Sequence, residues 1–206
     1  MNRPSLIKKF DKQAAKYDKR RDSDPLYKFR QRIFPEARGK VLEVAIGSGL
    51  NFPCYRSDIE LIGLDFSQEM LKKAERAAKD YPFSTTLLQK DVETMVFDEN
   101  SFDTIISSTS LCAYQKPVDV LNSFQKWCKP EGKILLLEHG ICTNKFWAGM
   151  QKMIDPLAVR VVGCHQNRNI SAMIKQSELK LIREERYLSG LLYMIWAKKG
   201  SQKDSN

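Results

Sequence analysis

The 206-residue sequence contains no apolar run near the roughly 20 residues that a helix needs to cross a lipid bilayer. Its N-terminus, which reads MNRPSLIKK, lacks the apolar stretch of a secretory signal peptide. It also has no internal repeat and no low-complexity linker. We therefore expect a cytoplasmic protein, with peripheral membrane contact as the alternative location, and not a membrane-spanning or secreted one.

Paired cysteine spacing is missing as well. The five cysteines are scattered and contain no C-x-x-C, so the sequence suggests neither a disulfide framework nor a structural zinc site. Reduced thiols are the default expectation. Cys112 and Cys164 could bind a soft metal or metalloid with help from His165, but they lack paired spacing, so we expect no metal site.

Chain length indicates the number of domains, and the charge distribution indicates which kinds of partner the protein could bind. A chain of 206 residues with 42% hydrophobic content suits one α/β domain with small additions. The net charge of +9 is uneven, because residues 1–40 carry +8, residues 41–165 carry −3 and residues 166–206 carry +4. The basic N-terminal excess could be a solvated helix face, or it could face an anionic substrate, a phospholipid surface or nucleic acid.

Hydrophobic patterning predicts alternating strands and helices. Strands are expected at about 40–45, 60–65, 84–89, 103–107 and 133–138. Helical stretches are expected at about 51–57, 67–79, 117–128 and 144–162. This alternation is typical of a parallel sheet wrapped by helices. Two further strands at 179–188 and 191–197, joined by a tight turn at Ser189 and Gly190, predict a hairpin that closes the sheet.

Helix signals add detail near the N-terminus and after the second strand. The first helix is amphipathic, with a narrow apolar stripe formed by Leu6, Phe10, Ala14 and Tyr17. A second helix is expected to begin near Asp24 and Pro25. Ser67 is a suitable N-cap for a further helix, whose buried face would be formed by Met70, Leu71 and Ala74.

A glycine-rich turn is the most informative local feature. Residues 41–49 read VLEVAIGSG, an apolar strand that runs straight into glycines, and residues 61–65 read LIGLD, a second strand that ends in an acid. Glycines let the backbone approach a ligand, and an acid at the tip of the next strand can hold a ribose diol. The pair predicts a nucleoside-containing cofactor. The dinucleotide fingerprint G-x-G-x-x-G is not met, because Leu50 and Phe52 stand where its last glycine would fall.

Further motifs follow this turn in order: KDVE at 90–93, FDTIISS at 102–108, and KPEGKILLLEH at 129–139. Together with the turn and Asp65, they resemble the class I S-adenosylmethionine-dependent methyltransferases of the UbiE-like small-molecule kind, over nearly the whole chain. The resemblance implies a Rossmann-like α/β fold with a seven-stranded sheet in the order 3-2-1-4-5-7-6 and strand 7 antiparallel. It also implies S-adenosylmethionine as cofactor and S-adenosylhomocysteine as product.

The same resemblance suggests a division of the chain and a set of cofactor contacts. Residues 1–38 would form a basic helical lid, residues 39–200 the methyltransferase domain and residues 201–206 a disordered tail. The implied cofactor-binding residues are Tyr17, Glu43, Ala45, Gly47, Gly49, Asn51, Asp65, Phe66, Met70, Asp91, Val92, Glu93, Ser107 and Ser108.

Ala45 and Glu43 are unusual residues for this turn and the strand that leads into it. Ala45 stands where the family usually has glycine, and we expect the turn to persist with the cofactor slightly displaced. Glu43 lies inside an apolar strand, where an acid needs a partner, and a cofactor amine or a backbone N–H is the expected one.

A narrower resemblance concerns the methyl acceptor. Residues 49–55, 137–140, 155–157 and 163–168 are similar to the branch that contains membrane-associated thiol methyltransferases and phospholipid N-methyltransferases. This implies a lipophilic thiol, an amine, a phospholipid headgroup or a quinol-like compound. Two alternatives stay open. One is methylation of RNA or protein, which the absence of an N-P-P-Y-type motif opposes, and the other is a non-catalytic S-adenosylmethionine-binding or membrane-docking protein.

Candidate catalytic residues are few, because the chain has only two histidines. His139 ends the fifth predicted strand at the cofactor edge, His165 precedes the final helix, and Tyr17 could cap the cofactor. Each could instead have a structural role. The family's common histidine after strand four is replaced by SLCAY at 110–114, which disfavours hydroxyl acceptors and favours thiols or amines.

Overall fold

The computed structural model describes residues 3–200 and contains one seven-stranded sheet in the order β3-β2-β1-β4-β5-β7-β6. Strand β7 is antiparallel to both neighbours, and the other described pairs are parallel. The strands are β1 Lys40–Val44, β2 Glu60–Asp65, β3 Ser84–Gln89, β4 Phe102–Ser108, β5 Cys128–His139, β6 Leu179–Tyr187 and β7 Leu192–Lys199. The predicted order and the antiparallel seventh strand are confirmed. The tail predicted at 201–206 lies outside the described residues.

The helices are α1 Arg3–Lys19, α2 Tyr27–Ile33, α3 Gln68–Ala78, α4 Pro117–Trp127, α5 Lys145–Val161 and α6 Ile170–Gln176. The predicted N-cap of α3 is confirmed, because the Ser67 hydroxyl accepts a hydrogen bond from the Met70 N–H at 3.2 Å. The three residues predicted for its buried face are buried. No helix in the described range is long and apolar enough to cross a membrane.

Two helix boundaries differ from the prediction. Helix α2 begins at Tyr27 and not at Asp24, because the Asp24 carboxylate accepts hydrogen bonds from the Leu26 N–H at 3.0 Å and from Arg30 Nε at 2.6 Å, which holds the preceding residues in a turn. The helix predicted at 51–57 is reduced to a 3₁₀ turn at Phe52–Cys54, and the backbone is extended again at Tyr55.

The sheet separates two apolar layers. On one face, Leu42 and Val44 of β1 pack with residues of α4 and α6. On the other face, Val41 packs with residues of α2 and α3. Burial on both faces is what a parallel sheet covered by helices requires, and it explains why its central strands read as continuous apolar runs.

Strand register determines where the site lies. Val44, the last residue of β1, is paired with Leu64 of β2 on one side and with Ser107 of β4 on the other. The carboxyl ends of β1, β2 and β4 therefore meet at one edge of the sheet, where ligands of open α/β sheets bind. Strand β5 ends at His139 on the same edge, because Ser108 of β4 is paired with Leu137 of β5.

Candidate active site

The turn that follows β1 is built from left-handed backbone. Ala45, Gly47 and Gly49 have φ angles of 50°, 59° and 79°. Ala45 therefore keeps the turn that the family forms with glycine, at a backbone cost of about 1–2 kcal/mol. A Cβ at Gly49 would lie 2.5 Å from the Phe52 ring, whereas a Cβ at Gly47 would meet nothing closer than 4.0 Å. Gly49 is thus needed for packing, and Gly47 leaves open space beside the backbone.

The Asp65 carboxylate connects this turn to helix α3. Its Oδ2 atom accepts a hydrogen bond from the Gly47 N–H at 2.9 Å, and its Oδ1 atom accepts one from the Ser67 N–H at 2.8 Å. The side chain is buried, and burial raises its pKa to about 6 against these hydrogen bonds. The acid at the tip of β2 is therefore held in one orientation by two backbone donors.

The partners of Glu43 differ from the prediction. Its Oε1 atom accepts a hydrogen bond from Asn51 Nδ2 at 2.6 Å, and its Oε2 atom accepts one from the Tyr55 hydroxyl at 2.7 Å. These side chains take the place of the expected backbone N–H, because the chain folds back after the turn and returns them to β1. Contact of Glu43 with a cofactor amine stays a prediction. Burial raises the pKa of Glu43 to about 7, and the hydrogen bonds from Tyr55 and Asn51 oppose that rise.

Two cavities adjoin the turn. The larger has a volume of about 300 Å³, and the smaller has a volume of about 60 Å³. Tyr17 lines both cavities and lies between them, together with Ala45, Gly47 and Ser108. The predicted site residues that line one or both cavities are Tyr17, Glu43, Ala45, Gly47, Asn51, Asp65, Phe66, Met70, Ser108 and His139.

Other predicted cofactor residues have protein partners instead. Asp91 and Glu93 form ion pairs with Arg3 of α1, and the Arg3 guanidinium also lies 5.1 Å from the centre of the Phe66 ring. Three other predicted cofactor residues also contact the protein itself. The Val92 side chain lies in the core, and the Ser107 hydroxyl donates a hydrogen bond to Glu138 at 2.6 Å. Gly49 packs against the Phe52 ring. None of these five residues lines either cavity.

The residues around the cavities fit the cofactor predicted from the sequence. The Ser48 hydroxyl is buried beside the larger cavity and has no hydrogen-bond partner among the described residues. The Gly47 backbone borders both cavities without a side chain, and the fixed Asp65 carboxylate borders the smaller one. The unpaired hydroxyl and the oriented acid are hydrogen-bonding groups of the kind that a ribose and an amino acid group need, and the glycine leaves space for a ligand to approach the backbone.

Helix α1 lies across both cavities. On one side, its Asp11 carboxylate accepts a hydrogen bond from the Ser67 hydroxyl at 2.5 Å, and its Phe10 ring contacts Phe66 edge-on at 5.4 Å. On the other side, Gln13 Nε2 donates to the Val162 carbonyl at 3.3 Å. The helix therefore bridges the α3 side and the α5 side of the site.

The structure separates the two histidines. His139 lines the larger cavity next to Cys164. His165 lines neither cavity, and its Nδ1 atom lies 2.7 Å from the buried carboxylate of Asp155. Cys164 lines the larger cavity, whereas the next residue, His165, contacts Asp155 of α5. His165 therefore lies outside the lining of both cavities, and its contact with Asp155 ties α5 to the loop that follows it; a catalytic role for His165 stays a prediction.

The sequence led us to expect no metal site and offered His165 as the histidine nearest to Cys112 and Cys164, but the structure places His139 beside these cysteines. The ligand atoms of Cys112, His139 and Cys164 all lie within 4.8 Å of one another. His139 is the third member of this group, where the sequence suggested His165. A hydrogen bond from the Cys112 thiol, with another from His139, lowers the pKa of Cys164, and the same contact raises the pKa of Cys112 well above its usual value. Burial is the largest single effect and lowers the pKa of His139, but the hydrogen bond and the charge interaction with Cys164, together with the nearby Glu138 carboxylate, raise this pKa by more in sum.

Arg30 is a site residue that sequence reasoning missed. It is 5% exposed, it lines the larger cavity, and its Nη1 atom donates to the Ser108 hydroxyl at 2.6 Å and to the Asn51 side chain. No local pattern separates Arg30 from the other basic residues near the N-terminus. Only the contact with Asn51 and Ser108, which are distant in sequence, identifies it.

Comparison with known proteins agrees with this geometry. A family described as a methyltransferase domain matches residues 42–136. The chain is 30% identical to Methyltransferase OMS1, mitochondrial, of Saccharomyces cerevisiae, over 92% of this chain but 45% of that protein, so it spans about half of that relative's length. It is 24% identical to a phosphatidylethanolamine N-methyltransferase of Cereibacter sphaeroides, over 75% of this chain and 77% of that protein.

Among solved structures, an S-adenosylmethionine-dependent methyltransferase from Mesorhizobium loti has a TM-score of 0.64 and 14% identity, over 86% of this chain and 99% of that chain. At this level of identity the similarity establishes the fold alone.

Replacing Asp65 tests the cofactor site. We expect Asp65→Ala to weaken S-adenosylmethionine binding by at least about tenfold in titration calorimetry, because it removes the predicted ribose acceptor and the anchor of the turn. Asp58→Ala, at an exposed acid in the loop before β2, is the matched control. An unchanged affinity in the Asp65 variant would rule out the ribose assignment.

The buried Glu43 carboxyl predicts a pH-dependent stability. Since its pKa rises from 4.5 to about 7 on folding, the contribution of Glu43 to stability is largest below pH 4.5 and is lost as the pH rises toward about 7. Relative to the Glu43→Gln variant, the wild-type protein should lose up to about 3 kcal/mol of unfolding free energy across this range, as measured by urea unfolding. The exposed Glu60→Gln is the control. A difference in unfolding free energy between the wild-type protein and the Glu43→Gln variant that stays constant with pH would contradict the burial argument.

Proposed function

The chain belongs to the class I S-adenosylmethionine-dependent methyltransferases, and we propose that it transfers a methyl group to a small lipophilic acceptor taken up at a membrane surface. The proposed acceptor is a thiol, an amine, a phospholipid headgroup or a quinol-like compound. The observation that supports this most is the position of the larger cavity. It runs from the glycine turn to an apolar wall formed by Val162, Leu188, Leu191 and Leu192.

The methyl donor, S-adenosylmethionine, would be bound by the glycine turn, Asp65 and the lid. The smaller cavity, at about 60 Å³, is far below the roughly 300–1,000 Å³ of usual ligand sites, so α1 has to move before a nucleoside can enter beside Asp65. The contacts that would open on the α3 side are largely polar, and they include the Arg3 ion pairs, the Asp11 hydrogen bond and the Phe10 contact. These contacts support the proposal that α1 is the movable part of the lid predicted at residues 1–38, whereas α2 packs in the core.

The acceptor half borders an exposed apolar surface. Helix α5 presents a row of exposed side chains to solvent, including Met153 at 75% exposure and Leu157 at 63%. Its other members are Phe146, Trp147, Ile154 and Val161. Leu188 and Leu191, which line the cavity wall, are exposed as well. An apolar surface of this kind in contact with water marks an interaction site.

Charge favours an anionic membrane as the partner of this surface, which we call the α5 face. Exposed lysines follow one side of α1 at helical spacing: Lys8, Lys12, Lys16 and Lys19. Helix α1 adjoins the end of α5, since Lys9 donates to the Arg160 carbonyl and Gln13 to the Val162 carbonyl. An apolar helix face beside basic side chains is the arrangement of interfacial membrane-binding helices.

The chemistry requires little beyond positioning. The sulfonium of S-adenosylmethionine is already activated, and holding an acceptor in line with its methyl group is worth roughly 7–11 kcal/mol. His139 and Tyr17 border the cavity and can orient the acceptor or accept a proton from it. Thiols ionise near neutral pH with modest help, whereas an alcohol needs a stronger base than the described cavity residues provide.

Acceptor preference tests this chemistry. With an alkyl thiol, an alkylamine and an alcohol of equal chain length, we expect the thiol and the amine to be methylated at least about tenfold faster than the alcohol. Transfer of a labelled methyl group from S-adenosylmethionine measures the rates. A preference for the alcohol would overturn the proposal that no strong base is used.

Vesicle binding tests the α5 face. The protein should float with vesicles that contain anionic lipid at low salt, and the double substitution Met153→Glu with Leu157→Glu should reduce the bound fraction severalfold. Val96→Glu is the matched control, because Val96 is 81% exposed but lies in the loop between β3 and β4. Equal binding to neutral and anionic vesicles would contradict the role of the basic side chains.

Tryptophan fluorescence locates the contact. Trp147 is 53% exposed, whereas Trp127 and Trp196 are at most 9% exposed. Vesicles should therefore shift the emission to shorter wavelength in the wild-type protein and much less in Trp147→Phe. Salt-sensitive binding to RNA without any vesicle-dependent shift would support nucleic-acid methylation instead.

A further inference from the structure

We infer that Cys112, His139 and Cys164 form a three-ligand site for a zinc-like metal ion, whose open fourth position faces the acceptor cavity and binds a thiol acceptor as its thiolate. This inference rests on the proposed methyl transfer and names its acceptor class. The three ligand atoms lie within 4.8 Å of one another, and His139 and Cys164 line the larger cavity. Two sulfur donors and one imidazole, with a free position, are a donor set known from catalytic zinc sites.

The three ligands come from separate segments that the fold holds together. Cys112 follows β4, His139 ends β5 and Cys164 follows α5. The N–H of His165 donates to the Cys112 carbonyl at 3.0 Å, which joins the first and third segments through their backbones. The site is therefore set by the tertiary structure, and this explains why the sequence shows no paired cysteine spacing.

A second layer of polar contacts fixes the loop that carries Cys112. The fully buried Glu138 accepts hydrogen bonds from the Ser110 N–H at 2.9 Å and from the Leu111 N–H at 3.2 Å. Arg168 donates to the carbonyls of Leu111 and Tyr114 from the other side. Supporting contacts of this kind orient the ligands of metal sites.

Size and donor chemistry favour zinc over harder cations. Tetrahedral zinc bonds of about 2.3 Å to sulfur and about 2.0–2.1 Å to nitrogen place ligand atoms roughly 3.5–3.8 Å apart. The ligand atoms here are separated by up to 4.8 Å, so metal binding would shorten the longest of these distances by about 1 Å. Thiolate and imidazole donors select zinc and other soft ions, whereas magnesium and calcium prefer oxygen. Two thiolates also neutralise the charge of a divalent ion.

The proposed methyl transfer needs only the thiol acceptor, the metal-bound hydroxide and S-adenosylmethionine, with no oxidant or reductant. A thiol acceptor gives its proton to a metal-bound hydroxide, water leaves, and the acceptor sulfur takes the fourth position as a thiolate. Its electron pair forms the bond to the methyl carbon of S-adenosylmethionine. The bond from that carbon to the sulfonium breaks, and its electrons remain on S-adenosylhomocysteine. The thioether product is a weaker ligand than a thiolate and is released.

Cobalt substitution tests the site without turnover. Reduced, metal-free protein titrated with Co²⁺ should bind one ion and develop the thiolate-to-cobalt charge-transfer band and the intense visible absorption of a tetrahedral site. Cys112→Ser and Cys164→Ser should each weaken binding by at least tenfold and reduce the charge-transfer band. Cys128→Ser is the matched control, because Cys128 is buried at the start of β5, outside the group of three.

Addition of an alkyl thiol to the cobalt form tests the open position. The visible spectrum should shift with the thiol and not with an alcohol of equal length. Absence of the cobalt bands, bands that persist in both serine variants, or a spectrum that the thiol leaves unchanged would each overturn the inference. Because these spectra need no methyl transfer, their presence in a protein that methylates no acceptor would count against the proposed function alone.

Discussion

The buried carboxylate of Asp65 is the interaction on which the rest of the site depends. It accepts hydrogen bonds from the backbone of Gly47 and of Ser67, and so joins the turn after β1 to the N-terminus of α3. Since β1 and β2 are parallel neighbours, their ends already lie side by side, and the carboxylate fixes the two loops against each other. The burial that makes this possible also raises its pKa to about 6, an electrostatic cost that the two backbone donors offset in part.

From this edge the site extends in two directions with opposite character. Toward β2 and α3 it is small, polar and covered by α1, which suits a nucleoside. Toward β5 and α5 it is larger and ends at leucine and valine side chains that are also exposed to solvent. Tyr17 lies between the two cavities, at the position where a methyl group would cross from donor to acceptor. The same helix α1 therefore borders the cavities proposed for the cofactor and for the acceptor, and it adjoins the proposed membrane surface.

The alternation of strands and helices, the glycine turn and the Ser67 cap could be predicted from the sequence, because each depends on a local pattern that a single segment carries. The strand order followed from the family resemblance and is confirmed, whereas the assignment of Asp65 to the ribose stays a prediction. The remaining features depend on contacts between distant segments. The pairing of Arg3 with Asp91 and Glu93, the partners of Glu43 and the burial of Arg30 have no local signature. His139, and not His165, lies beside the cysteines because the end of β5 meets the segments after β4 and α5, a tertiary contact that no sequence pattern specified.

Acceptor chain length is the measurement that tests the central claim most directly. If the acceptor is lipophilic and lies along the apolar wall, kcat/KM for a series of straight-chain alkyl thiols should rise roughly three- to fourfold with each methylene until the wall is filled, since each buried methylene contributes about 0.8 kcal/mol. Labelled methyl transfer from S-adenosylmethionine, measured with the thiols below their solubility limit, gives these values. A kcat/KM that is independent of chain length, or that falls as the chain grows, would contradict the account.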